Sequence, residues 1–163
     1  HLIATFFGIG LLPYAPGTWG SIGALLIFYC LIYFHANFFL LLVMFSCFFV
    51  FSIIICEIAS KDLPIKDHKA IVIDEFSGLW LSFLFIPFLG LYNFSISDWQ
   101  RESYIAAFIL FILFRFFDIF KPYPISFIDK KFKSGFGIVL DDLVAGIFAA
   151  LTLLGGNFFI KIF

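Results

Sequence analysis

Charge is scarce in this chain: 13% of its 163 residues are Asp, Glu, Lys or Arg, against 63% that are hydrophobic. That scarcity excludes a disordered chain, and it excludes an ordinary soluble domain, whose core at this size could not hide so much apolar surface. A surplus of either sign is missing as well. The formal net charge is −1, and the basic residues are not interleaved with aromatics, so no nucleic-acid surface is encoded. Cysteine is limited to Cys30, Cys47 and Cys56, each inside an apolar run and without CxxC spacing. Zinc and cysteine chemistry are therefore not signalled, and the three read as small buried hydrophobes. Without a low-complexity tail or flexible linker, residues 1–163 read as one integral-membrane domain.

What is abundant is phenylalanine, 28 residues of it, and the mean hydropathy is +1.12. The longest apolar runs cover 38–58, 71–91, 103–120 and 138–163, each near the roughly 20 residues that cross a bilayer as helix. A shorter run, 21–34, becomes long enough only if 18–20 join it. The pattern predicts an all-α, polytopic membrane bundle of four to five transmembrane helices. Residues 1–12 are apolar but too short to span, and they lack the basic flank of a signal peptide, which predicts a re-entrant or interfacial segment. Gly8, Gly10, Pro13, Pro16, Gly17 and Gly20 follow or interrupt it. They serve either a tight entry turn or a close approach of backbone to a ligand or another helix.

Loop charge orients the bundle. Lys61, Lys66 and Lys69 fall between the second and third runs, and Lys121, Lys130, Lys131 and Lys133 between the fourth and fifth. Both loops are expected on the cytoplasmic side, with the amino terminus inside and the carboxyl terminus outside.

Charges within membrane helices are costly and are functional-site candidates by default. Asp74 and Glu75 enter the third run, Asp118 lies near the end of the fourth, and Asp141 and Asp142 open the fifth. All five are expected near the cytoplasmic face. So many carboxylates at one depth repel one another unless a cation or protons neutralise them, and an all-oxygen donor set favours magnesium or manganese over zinc. Two of the acidic sites look alike. Ile71-Val-Ile-Asp74-Glu75-Phe-Ser-Gly78 matches Ile138-Val-Leu-Asp141-Asp142-Leu-Val-Ala-Gly146, with the glycine displaced by one. In each, a carboxylate shares a helix face with a glycine, a notch where another helix can pack closely.

Arg115, Asp118 and Lys121 recur at spacings of three. They form either intrahelical ion pairs or a site in which Asp118 binds metal while Arg115 and Lys121 hold phosphate oxygens. Gly135 and Gly137 could offer backbone N–H groups to an anion. His68, between Asp67 and Lys69, is either a plain loop histidine or a proton donor and phosphate contact. A cation transporter is the rival class, since intramembrane carboxylates also move ions. Against it, the carboxylates stop near one face and the second helix is almost wholly apolar.

Four ordered blocks carry a family resemblance: Gly8-Ile-Gly-Leu-Leu-Pro13 with Ala15-Pro-Gly-Thr-Trp-Gly-Ser21, Asp67 to Gly78, Phe114 to Pro124, and Gly135 to Gly146. Together they resemble phosphatidylglycerophosphatase A, a bacterial inner-membrane lipid phosphatase family, over nearly the whole chain. The resemblance implies Mg2+-dependent hydrolysis of phosphatidylglycerophosphate to phosphatidylglycerol and inorganic phosphate, at a site facing the cytoplasm. It implies Asp74, Glu75, Asp118, Asp141 and Asp142 as metal-binding and catalytic residues, with Arg115, Lys121 and His68 on the substrate phosphate. Glu75 or Asp142 is the expected base or nucleophile. Little precedes the first glycine block, and a short amino-terminal extension is expected before it.

Overall fold

The computed structural model describes residues 16–62, 73–89, 101–132 and 134–162. Six α-helices follow in order: α1 (Pro16–Tyr33), α2 (Phe38–Asp62), α3 (Ile73–Phe83), α4 (Arg101–Phe120), α5 (Ile125–Lys131) and α6 (Gly135–Ile162), with a 3-10 turn at Ile86–Leu89. No strand occurs among the described residues. Among the described residues, three helices are long and apolar enough to cross a membrane, over Phe38–Ile58, Glu102–Phe120 and Gly135–Asn157, and Gly17–Tyr33 is a shorter apolar helix. The chain is thus an all-α membrane protein. The run at 71–91 departs from a straight span, because its helix stops at Phe83 and continues as the 3-10 turn containing Pro87. Proline cannot donate the backbone hydrogen bond that a continuing helix requires.

The link between α1 and α2 shows how local chemistry sets the hairpin. His35 takes a left-handed φ of 54°, its N–H bonds Ile32 O at 3.0 Å, and the Ala36 N–H bonds Leu31 O at 2.9 Å. That pair of bonds is a Schellman stop. Asn37 then accepts the Leu40 N–H on Oδ1 at 2.8 Å, capping α2.

Polar contacts identify the two ends of the bundle. Glu57 near the end of α2 meets Gly135 at the start of α6, and Lys121 just past α4 meets Asp141. At the other end, Asn157 of α6 donates to Leu89 O and Tyr29 of α1 donates to Tyr104 O of α4. Helices α1, α3 and α6 therefore run one way, α2 and α4 the other.

Helix α3 is the inner element, packed on α1, α2, α4 and α6. Its Phe76, Trp80 and Phe83 are buried with Phe28. Phe28 stacks on Phe83 with centroids 4.2 Å apart, and Phe76 on Trp80 at 5.2 Å. Part of the phenylalanine excess thus builds an aromatic core. Others face outward, for example Phe39, Phe108 and Phe116. The α2 span is only 11% buried against 50% for the α6 span, which makes α2 a lipid-facing wall and α6 the spine.

Candidate active site

A close helix crossing sits beside the carboxylates. A Cβ on Gly78 would strike the Asp142 backbone, and one on Gly146 would strike the Gly78 carbonyl. Only a hydrogen at each position lets α3 and α6 approach this closely. The paired notches expected from the sequence are thus the contact itself, and they bring Asp74–Glu75 and Asp141–Asp142 to one end of the bundle. Asp142 lies within electrostatic reach of Asp118, Asp74, Asp141 and Glu75. From α2, Ser52 fixes the start of α3, donating to Ile73 O at 3.0 Å and meeting Ser77 Oγ at 2.6 Å.

Two basic side chains enter this acidic cluster. Arg115 uses a single nitrogen, Nη1, to donate to Glu75 Oε2 at 2.6 Å and to Asp118 Oδ2 at 2.7 Å. Its Nε is buried and has no partner among the described residues. Lys121 follows the last turn of α4 with φ at 41°, in the left-handed region that a lysine seldom occupies. The reversed backbone lets Nζ turn back to donate to Asp141 Oδ2 at 2.6 Å and Asp129 Oδ1 at 2.8 Å. Burial works against the Lys121 ammonium, but the attraction of Asp141 and the hydrogen bonds to Asp129 and Asp141 outweigh it. Its pKa stands above the usual lysine value.

Among the described residues, the remaining two carboxylates meet no cation. Asp74 and Asp142 are 7% and 4% exposed, and Asp74 Oδ1 accepts the Glu75 N–H at 3.0 Å. A buried carboxylate without a counter-charge is costly, which is the condition under which a site takes up a metal ion or a proton. The cluster's carboxylates outnumber its basic groups, and their hard oxygens fit a hard divalent cation such as Mg2+, with the buried Cys56 thiol of α2 within electrostatic reach of Asp74, Asp141 and Asp142. Among the described residues, no three acidic, histidine or cysteine side chains already converge on one ion position.

The structure thus assembles Asp74, Glu75, Asp118, Asp141, Asp142, Arg115 and Lys121 from α3, α4, the turn after α4, and α6. His68 lies outside the described residues, as do residues 1–12. Gly135 and Gly137 do not offer free donors to an anion. The Gly135 N–H is taken by Glu57 Oε2 at 2.8 Å and the Gly137 N–H by Ser134 Oγ at 3.2 Å. Gly135 is instead required by packing, since a Cβ there would strike the α2 backbone at Glu57. Sequence reasoning missed Ser21, which reaches Glu75 Oε2 at 3.1 Å, and Asp129. Ser21 stands one turn after Gly17 on α1, a spacing that marks a shared helix face. For Asp129, beyond a Pro-Tyr-Pro turn, the sequence carries no comparable signal.

Fold and site together define a helical membrane protein with a buried cluster of carboxylates, an arginine and a lysine at one end, a constellation suited to phosphate-ester chemistry. Residues 2–157 match the family model described as Phosphatidylglycerophosphatase A. The chain belongs to the phosphatidylglycerophosphatase A family, and it is an enzyme, a phosphatase. It is 36% identical over 150 residues to the Phosphatidylglycerophosphatase A of Escherichia coli strain K12, covering 92% of this chain and 78% of the relative. With the Haemophilus influenzae protein of the same name it is 38% identical over 153 residues, covering 94% and 85%. A Bacteroides thetaiotaomicron relative named as a candidate phosphatidylinositol-3-phosphatase is 34% identical over 155 residues, covering 93% and 89%. No solved structure matches the chain.

Proposed function

We propose that this protein hydrolyses the terminal phosphomonoester of phosphatidylglycerophosphate to phosphatidylglycerol and inorganic phosphate, in a Mg2+-dependent reaction at the cytoplasmic face of a bacterial inner membrane. The observation that carries the reading is the meeting of carboxylates from three sequence-distant helices with Arg115 and Lys121 at one end of the bundle, in a chain of this family. The same end carries Lys130 and Lys131 of α5, which supports its cytoplasmic side.

Hydrolysis of a phosphate monoester demands positioning and charge neutralisation more than covalent help from the protein. Asp74 and Asp142, buried without a counter-charge, would hold Mg2+, joined by Asp118 and Asp141. Bound there, Mg2+ would supply Lewis acidity and neutralise the phosphate dianion. Arg115 offers its unused Nε edge to the equatorial oxygens, and Lys121 adds a point charge. Glu75 is engaged by Arg115 and Ser21, so we assign it to hold Arg115 rather than to take a proton. The placement of the cluster at one end of the bundle would let the acyl chains stay in lipid while the headgroup reaches it.

Phosphate release from phosphatidylglycerophosphate by the detergent-purified protein tests this, with Mg2+ and with EDTA, beside phosphatidylinositol 3-phosphate as competitor substrate. Release that EDTA abolishes, and that prefers the glycerol ester, is expected. No release from folded protein on either lipid, with cation flux in proteoliposomes, would replace the reading by ion transport.

A further inference from the structure

Resting on the site assigned above, we propose that Gly17 and Ser21 of α1 are positioning residues: they seat the Glu75 carboxylate so that Arg115 presents its free edge to a phosphoryl group. The geometry starts from a missing side chain. A Cβ on Gly17 would fall onto the Glu75 carboxylate, so the carboxylate rests directly on the α1 backbone, in a place no other residue type leaves open. One turn on, the fully buried Ser21 hydroxyl lies 3.1 Å from Gly17 O and 3.1 Å from Glu75 Oε2. Its single proton favours the charged acceptor, because hydrogen bonds to ionised groups are about twice as strong as neutral ones. Ser21 Oγ and Arg115 Nη1 thus converge on the same oxygen, Oε2.

The consequence falls on the guanidinium. Both Nη1 protons are committed, one to Glu75 and one to Asp118, while Nε is buried with no partner. A buried donor left unsatisfied costs free energy unless a ligand completes it. The Nε–Nη2 edge of a guanidinium is a planar fork matched to two oxygens of a phosphoryl group. With Nη1 tied to α3 and to α4 itself, the rotation of that fork is set by where Glu75 sits, and Glu75 sits where α1 holds it. The glycine-rich opening of α1, which the hydrolytic chemistry leaves without a task, would thereby act on the substrate without touching it.

The test reads inorganic phosphate binding by phosphorus NMR titration in Mg2+ buffer, beside kcat/KM on phosphatidylglycerophosphate and thermal stability, for Ser21→Ala, Glu75→Gln, the double variant and Gly17→Ala. Ser21→Ala is expected to weaken phosphate binding and lower kcat/KM about tenfold with an unchanged melting temperature. In the Glu75→Gln background the same change should add less than about twofold, since Ser21 acts through Glu75. Gly17→Ala should exceed Ser21→Ala in both readouts. Wild-type phosphate affinity in Ser21→Ala, or an equal loss with and without Glu75, would overturn the proposal, as would wild-type protein that binds no phosphate. If the wild type binds phosphate in this pattern yet releases none from the lipid, the positioning role stands and the proposed reaction falls.

Discussion

The two acidic pairs look like copies in the sequence and behave as mirror images in the structure. In the α3 pair the second carboxylate, Glu75, takes a basic partner and the first, Asp74, is buried without one. In the α6 pair the first, Asp141, is bound by Lys121, and the second, Asp142, is buried without a cation. Adjacent helical residues point about 100° apart, so the two members of each pair meet different neighbours. Asp74 and Asp142 are the members left without a cation among the described residues, and Glu75 and Asp141 are those met from α4 and the turn after it. Under the proposed reaction the near-repeat divides into two roles, with Asp74 and Asp142 buried to await a cation and Glu75 and Asp141 engaged by Arg115 and Lys121.

The division predicts its own largest effects. Asp74→Asn and Asp142→Asn should each lower phosphate release by at least about a hundredfold, by analogy with the loss of a preorganised electrostatic group. Stability should move the other way. Each change deletes a buried charge that no cation balances, so melting temperatures measured without divalent ions should not fall below that of the wild type. Mg2+ should raise the melting temperature of the wild type and fail to do so in either variant. A normal Mg2+-induced shift in Asp142→Asn would break the symmetry and leave Asp74 as the one cation-free carboxylate that holds the ion.

Gly78→Ala comes next, because it attacks the crossing that makes the comparison possible. The added methyl would meet the Asp142 backbone, which cannot rotate away as a flexible side chain would. Overpacking of this kind costs about 1–3 kcal/mol, or roughly 2–10 °C for a chain of this length. Activity should fall with stability here, unlike in the aspartate variants, because the two pairs are driven apart together. Gly155→Ala is the control. A Cβ there meets open space, and both thermal stability and phosphate release should stay near wild type.

Why the pairing itself was legible while its division was not follows from what a sequence encodes. The apolar runs, the intramembrane carboxylates and the glycines three or four residues from Glu75 and Asp142 are all local, and each carries a direct physical meaning at its own position. Those features anticipated the helices, the acidic end and the α3–α6 contact. The choice of which carboxylate faces a cation depends on helix rotation and on partners far along the chain. Arg115 is 40 residues from Glu75, and Ser21 is 54 residues from it. The shortening of α3 and the extra helix α5 were likewise hidden, since an apolar run with one proline does not say where its helix stops. Gly135 was misjudged as an anion donor because its steric task, fitting against α2, leaves the same glycine signature.

Smaller effects separate charge from backbone at Lys121. Left-handed backbone costs a residue with a Cβ about 1–2 kcal/mol more than it costs glycine. Lys121→Ala and Lys121→Gly should therefore lose activity equally, by about tenfold, since both lack the ammonium. The glycine variant should nonetheless melt a few degrees higher than the alanine variant. Equal melting temperatures would mean that the turn after α4 is not held in the left-handed form in solution.

The smallest expected effect belongs to Asp129→Asn. Lys121 bridges Asp141, whose side chain is 7% exposed, and Asp129, whose side chain is 46% exposed, so the two ion pairs sit in different dielectric surroundings. An exposed pair is screened by water and salt and contributes under about 1 kcal/mol. Removing it leaves the Lys121–Asp141 contact and the reversed backbone in place, so phosphate release should stay within about twofold of wild type at physiological salt. Raising the salt concentration should erase what difference there is, because screening then does to the wild type what the substitution does to the variant. A larger loss that persists at high salt would move Asp129 from the rim of the cluster into it, and α5 would count as a fourth element of the site beside α3, α4 and α6.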